Sequence, residues 1–119
     1  MIETIVIDFL ISQDIEGIGE HVYAEVPEHP PQEYVLVEKT GSRNRDHISR
    51  AMIAVQSISR DRYNGLAAAM TINERVKDAM SRFADLSNEI YACKLNSDYN
   101  FTNTETKEHR YQAVYSINF

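Results

Sequence analysis

Between Ser59 and Leu86 the apolar residues recur in steps of three and four: Leu66, Ala69, Ile72, Val76, Ala79 or Met80, Phe83 and Leu86. That spacing predicts a long helix with one apolar stripe, and it turns Asn73, Arg75, Lys77, Asp78 and Arg82 outward. Ser59 or Asp61 is the expected cap, because a short side-chain oxygen satisfies an unpaired first-turn N–H. Glu74 with Lys77, and Asp78 with Arg82, are oppositely charged neighbours on the outer face, each worth about 0.2–0.5 kcal/mol. Gly65 reads as a weak point, costing roughly 0.5–1 kcal/mol against alanine. A one-sided helix of this length needs an apolar surface to cover, and the flanking segments read as a sheet.

Ile2, Ile5, Val6, Phe9 and Leu10 have helical spacing and predict a first amphipathic helix ending near Gln13. IEGIGEH, with two glycines, reads as a turn. His21 to Val26 alternates as a half-buried strand, and the proline-rich PEHPP after it reads as a surface connection. Tyr34 to Lys39 is the second expected strand, TGSRNRDH a polar loop, and Ile48 to Ile58 a third, central strand. After the long helix, Ile90 to Phe101 and His109 to Phe119 read as two more strands joined by the hydrophilic TNTETKE loop. In the last strand Tyr111, Ala113, Tyr115, Ile117 and Phe119 alternate against Arg110, Gln112, Val114, Ser116 and Asn118. The expected fold is one α+β domain over residues 1–119, in the order helix-β-β-β-helix-β-β. Its sheet is open and mostly antiparallel, with both helices packed on one face.

A chain of 119 residues can bury roughly two-thirds of its unfolded surface without a metal or disulfide. Cys93 is the single cysteine, which suits a reducing cytoplasm. No run reaches the length of apolar residues a membrane helix needs, and the N-terminus lacks the basic region of a signal peptide.

The net charge of −6 is unevenly spread. Residues 1–38 carry nine acidic side chains, Glu25 and Glu38 among them, and no Lys or Arg. Residues 39–62 carry Lys39, Arg43, Arg45, Arg50, Arg60 and Arg62 against Asp46 and Asp61. Such asymmetry implies a positive patch meeting a negative one, within the fold or on a neighbour. Arg43, Arg45, Arg50, Glu25 and Glu38, with Tyr111 from the tyrosine-rich strands, are the candidate subunit-interface residues. Five of seven tyrosines (Tyr34, Tyr91, Tyr99, Tyr111 and Tyr115) lie on strand-like segments, as a core or a protein interface would use them. The overall negative charge argues against a nucleic-acid binder built on residues 39–62.

No constellation points to catalysis. His21, His29, His47 and His109 sit on separate elements without metal-site spacing, and Cys93 has no CxxC partner. The Lys39-Thr40-Gly41-Ser42 string lacks phosphate-loop spacing and reads as a strand-connecting turn. Neither Asp8 with Glu16 nor Glu74 with Asp78 shows an environment that would split their pKa values as acid–base work requires.

Several stretches, in order along nearly the whole chain, carry a family likeness: Val26-Pro27, Val37-Glu38-Lys39-Thr40-Gly41, Asn100-Phe101-Thr102 and Arg110-Tyr111-Gln112-Ala113-Val114-Tyr115. With them the chain resembles the tail terminator (tail completion, head–tail joining) proteins of long-tailed bacteriophages. At the helix entry it departs from the family, with Arg60-Asp61-Arg62-Tyr63 where a small residue is common. The resemblance implies a homo-oligomeric ring, commonly a hexamer, that caps the tail tube protein and meets the head connector protein. It implies a virion-tail component assembled in the host cytoplasm, with no enzyme activity and no cofactor. A small protein-binding or adaptor module of the same layout is the other reading.

Overall fold

The computed structural model describes residues 2–45, 48–102, 105 and 108–119. The elements run α1 (Ile2–Ser12), β1 (Val22–Tyr23), β2 (Glu33–Arg45), β3 (Ile48–Ser59), α2 (Gly65–Met80), α3 (Phe83–Leu86), β4 (Ala92–Asn100) and β5 (His109–Asn118). Five strands form one sheet in the order β1-β2-β3-β5-β4. β1 is parallel to β2 and every other pair is antiparallel. This is the expected α+β layout, with β3 inside the sheet.

One face of the sheet is covered. Val35 and Val37 of β2, Ala51, Ile53 and Val55 of β3, and Ala113, Tyr115 and Ile117 of β5 are buried there. Ile2, Val6 and Leu10 of α1 and Ile72, Val76, Ala79 and Met80 of α2 close the same core, with Phe83 beside them. The Phe9 and Phe83 rings meet tilted at a 4.7 Å centroid distance, which ties α1 to the end of the helical stripe. The other face carries a smaller apolar cluster of Tyr34, Leu36 and Ile58.

The helical stripe breaks into two helices: α2 ends at Met80, and a short α3 starts at Phe83. The backbone between them turns with Arg82 N–H donating to Ala79 O, and this re-aims Phe83 into the core. Helix α2 also begins later than Ser59, because Ser59 closes β3. Asp61 accepts from the Tyr63 and Asn64 N–H groups at 2.9 and 3.2 Å and shapes the turn before the helix. These bonds hold its carboxyl below the usual range. Leu66 and Leu86, assigned to the stripe by spacing, are exposed at its two ends.

Two strands differ most from the expectation. The strand read over residues 21–26 contracts to Val22–Tyr23, because the chain must turn toward its prolines and leaves Val26 half exposed. The polar loop expected after Lys39, including the KTGS turn, is strand as far as Arg45. Cross-strand pairing with Ile48 to Met52 overrides the turn propensity, with a bulge at Thr40. The order of residues 46, 103, 104, 106 and 107, read as part of mobile loops, lies outside the described residues.

Candidate assembly surface

The uncovered face of the sheet carries a polar chain across three strands. Arg110 Nη1 donates to Gln56 Oε1 at 2.8 Å, and Gln56 Nε2 donates to Gln112 Oε1 at 2.9 Å. Gln112 Nε2 in turn donates to Tyr99 Oη at 2.5 Å on β4. Arg110 also contacts Glu108 at 3.1 Å, and Glu108 lies 3.6 Å from Arg60. Further along, Ser116 Oγ accepts from Asn96 Nδ2 at 2.8 Å. Gln56 and Gln112 are buried although no helix lies over them among the described residues. Each amide therefore depends on its neighbour, since an unpaired buried amide costs about 1–3 kcal/mol. Burial, together with the Glu108 charge, raises the Tyr34 hydroxyl above its usual pKa.

β4 is an open edge of the sheet. It pairs with β5 alone, and all its residues but Cys93 are exposed. Tyr91, Leu95, Tyr99 and Phe101, on it or next to it, are exposed large apolar side chains. Tyr99 and Phe101 contact edge to face at 6.0 Å. A bulge at Asn96 shifts its register, so Leu95 faces Tyr115 while Ser97 faces Val114. Asp98 holds β4 to α2, accepting from Lys77 Nζ at 2.8 Å and from Asn73 Nδ2 at 3.0 Å. The Lys77 bond, ahead of the others, lowers the Asp98 pKa, and the same bond raises that of Lys77.

The six interface candidates spread over the molecule. Arg43 and Arg45 lie on β2, on the stretch read as loop, and their side chains fall outside the described residues. Arg50 pairs in register with Arg43 and is exposed, with Nη2 3.4 Å from Ser116 Oγ. Glu38 is exposed opposite Ala54, four residues along β3 from Arg50, about 13 Å away at strand spacing. Glu25 is exposed in the connection after β1. Tyr111 is half-buried on β5, in register with Ser57 and Asn100. Arg50 and Glu38 share a strand pair, whereas Glu25 and Tyr111 stand apart from them.

Cross-strand register, not residue type, assembles Gln56, Gln112, Arg110 and Glu108. Alternation had already placed Gln112 and Arg110 on the polar side of β5. Only the register joins them to β3.

Chemistry-bearing groups are quiet. Among the described residues no group of three or more His, Cys, Asp or Glu could hold a metal. Burial pushes the Cys93 thiol up to about 11, which leaves it protonated and unreactive near neutrality. A groove of about 460 Å³ runs between the turn after α1 and the outer side of α2. Both of its arginines are paired, Arg82 with Asp78 at 2.8 Å and Arg75 with Glu16 at 3.7 Å. Among the described residues no helix is long and apolar enough to cross a membrane.

No protein-family model matches the chain. No curated protein matches it either. Among solved structures, it superposes on a chain from the "Virion of native gene transfer agent (GTA) particle" with a TM-score of 0.63. The match covers 91% of this chain and 90% of that chain, at 15% sequence identity. At that identity the likeness is one of fold.

Proposed function

We propose that this chain is a structural virion protein that caps the tail tube as a homo-oligomeric ring, ends tail polymerisation and presents the surface that joins the head. The observation that carries this reading is the fold shared, over nine-tenths of both chains, with a component of a gene transfer agent virion. The tail-terminator motifs in the sequence point the same way. An open sheet edge beside exposed tyrosine, leucine and phenylalanine side chains is what a subunit needs when its neighbours complete it. In this reading the protein works by shape and contact, without catalysis or a cofactor, in the virion tail after assembly in the host cytoplasm. Its partners are copies of itself, the tail tube protein and the head connector protein, and it neither enters a membrane nor reads a nucleic-acid sequence.

Sedimentation velocity over a concentration series, followed by mixing with polymerising tail tubes, tests the reading. The expected result is a ring-sized species that binds tube ends and halts their growth. A chain that stays monomeric and leaves tube growth unaltered removes it.

A further inference from the structure

The sheet has two free edges, and they match. β1 pairs only with Val35 and Leu36, so β2 has no strand neighbour on that side from Val37 to Arg45 among the described residues. At the other end of the sheet β4 is free along Ala92–Asn100. Both free stretches are nine residues long, and each carries one bulge, at Thr40 and at Asn96. An unpaired edge exposes a row of N–H and C=O groups and is a template for another strand.

We propose that the β4 edge of one copy pairs antiparallel with the β2 edge of the next, so that the sheets of neighbouring subunits run on as one. This rests on the reading of the chain as a homo-oligomer and names the surface by which the copies join.

Strand direction supports it. Within one sheet β2 and β4 run in opposite directions. Copies related by a rotation that keeps the same face inward therefore bring these edges together antiparallel, as a head-to-tail ring contact requires.

The bulges favour this partner. On β4, Cys93 and Leu95 lie on the helix-covered face, opposite Ile117 and Tyr115, and after the bulge Asp98 and Asn100 lie there. The helix-covered residues are thus odd-numbered before the bulge and even-numbered after it. β2 behaves alike: Val37 and Lys39 before its bulge share a face with Ser42 after it. A strand that pairs with its own copy about a two-fold axis must set some residue opposite itself, so facing numbers add to an even total. On crossing the bulge that register would set a covered-face residue against an open-face one, which sheet pairing does not tolerate. Two-fold β4–β4 pairing therefore needs a register shift at Asn96 in both copies, like the one β4 makes against β5. β4 against β2 has no such constraint. One register sets Val37 opposite Asn100, Lys39 opposite Asp98, Ser42 opposite Leu95 and Arg45 opposite Ala92. It keeps every pair on a common face and matches the two free edges end to end. It also sets Lys39 across from the carboxylate of Asp98, an opposite-charge pair, and Arg43 across from Lys94, a like-charge pair, so the charges alone do not choose the register.

Cross-linking tests the pairing on the full-length chain, with Cys93→Ser removing the native thiol. Ser42→Cys and Leu95→Cys are made as separate proteins and treated with a short bismaleimide, alone and mixed. The pairing predicts a cross-linked dimer only in the mixture, and a ladder of higher oligomers when both cysteines share one chain. Lys39→Glu should reduce the cross-link, because two negative groups then face each other, while the monomer keeps its melting temperature. Cross-linking of the Leu95→Cys protein with itself, or none in any sample, overturns the proposal. So does a Lys39→Glu protein that cross-links as well as its parent. A ladder from protein that does not cap tubes upholds the pairing and removes the proposed function. Capping without any cross-link does the reverse.

Discussion

Asn73 Nδ2 donates to Asp98 Oδ2 at 3.0 Å, joining helix α2 to the edge strand β4 through a side chain only 1% exposed. Helical spacing assigns Asn73 to the solvent face, and the structure buries it because β4 lies alongside the flank of α2. The Asp98 carboxylate it meets also accepts from Lys77, so one acid fixes the edge strand to two helix positions. Asn73→Ala is expected to destabilise the fold by about 1–3 kcal/mol, the range for a buried polar contact left unmade. Chemical denaturation with wild type alongside would measure it, and an unchanged midpoint would show that α2 does not anchor β4 this way.

Acid should loosen the same junction. Hydrogen bonding to Lys77 lowers the Asp98 pKa below its usual 3.8 in the folded chain. The stability this contributes is present above the unfolded value and is lost as pH falls through the folded one. Asp98→Asn should therefore unfold with a shallower pH dependence below about pH 4 than the parent. Identical acid-unfolding curves would contradict the assignment.

Gly65 was expected to weaken the helix, so alanine there would ordinarily stabilise it. The structure reverses the sign. Gly65 opens α2 directly against the His109 ring, and an added Cβ would overlap that ring. Gly65→Ala should lower the melting temperature, and Gly65→Ala with His109→Ala should recover part of the loss. A rise in the single variant would show that the ring moves aside at no cost.

Phe83, buried and in tilted ring contact with Phe9, tests the core. Phe83→Ala should cost about 3–5 kcal/mol through the cavity left behind. On the open face, Gln56→Ala removes one partner each from Gln112 Oε1 and Arg110 Nη1 and should cost about 1–3 kcal/mol. A double variant with Gln112→Leu should cost less than the two single changes added, because the two amides form one unit.

Much of the fold was legible because side-chain period and burial agree. Ala51, Ile53, Val55, Ala113, Tyr115 and Ile117 alternate, and all are buried under the helices. What escaped was set by distant pairing. Gly41, Ser42 and Asn44 favour turns by type, yet β3 holds them in strand register. Asn73 has the character of a surface residue until β4 covers it. The charge asymmetry marks β2 beyond Lys39 as basic, but only the strand order shows that β2 and β4 are both free edges of one sheet. The tyrosines divide in the same way: Tyr34 and Tyr115 are core, while Tyr91 and Tyr99 are exposed at the open edge.

Charge reversal links assembly to function. Lys39→Glu, facing Asp98 in the proposed pairing, should weaken oligomerisation and tail capping without lowering the monomer melting temperature, whereas Arg43→Glu, facing Lys94, should not. Assembly should also weaken with added salt, because screening shortens the electrostatic range to about 8 Å at physiological ionic strength. A Lys39→Glu protein that assembles normally across that salt range would contradict an electrostatic part in the contact.

The most direct measurement is the length of tails, seen by electron microscopy, in particles assembled with and without this protein. If it caps the tail tube, its absence gives overlong tails unattached to heads, and adding the purified protein restores one uniform length. Tails of normal length, joined to heads in its absence, would contradict the account.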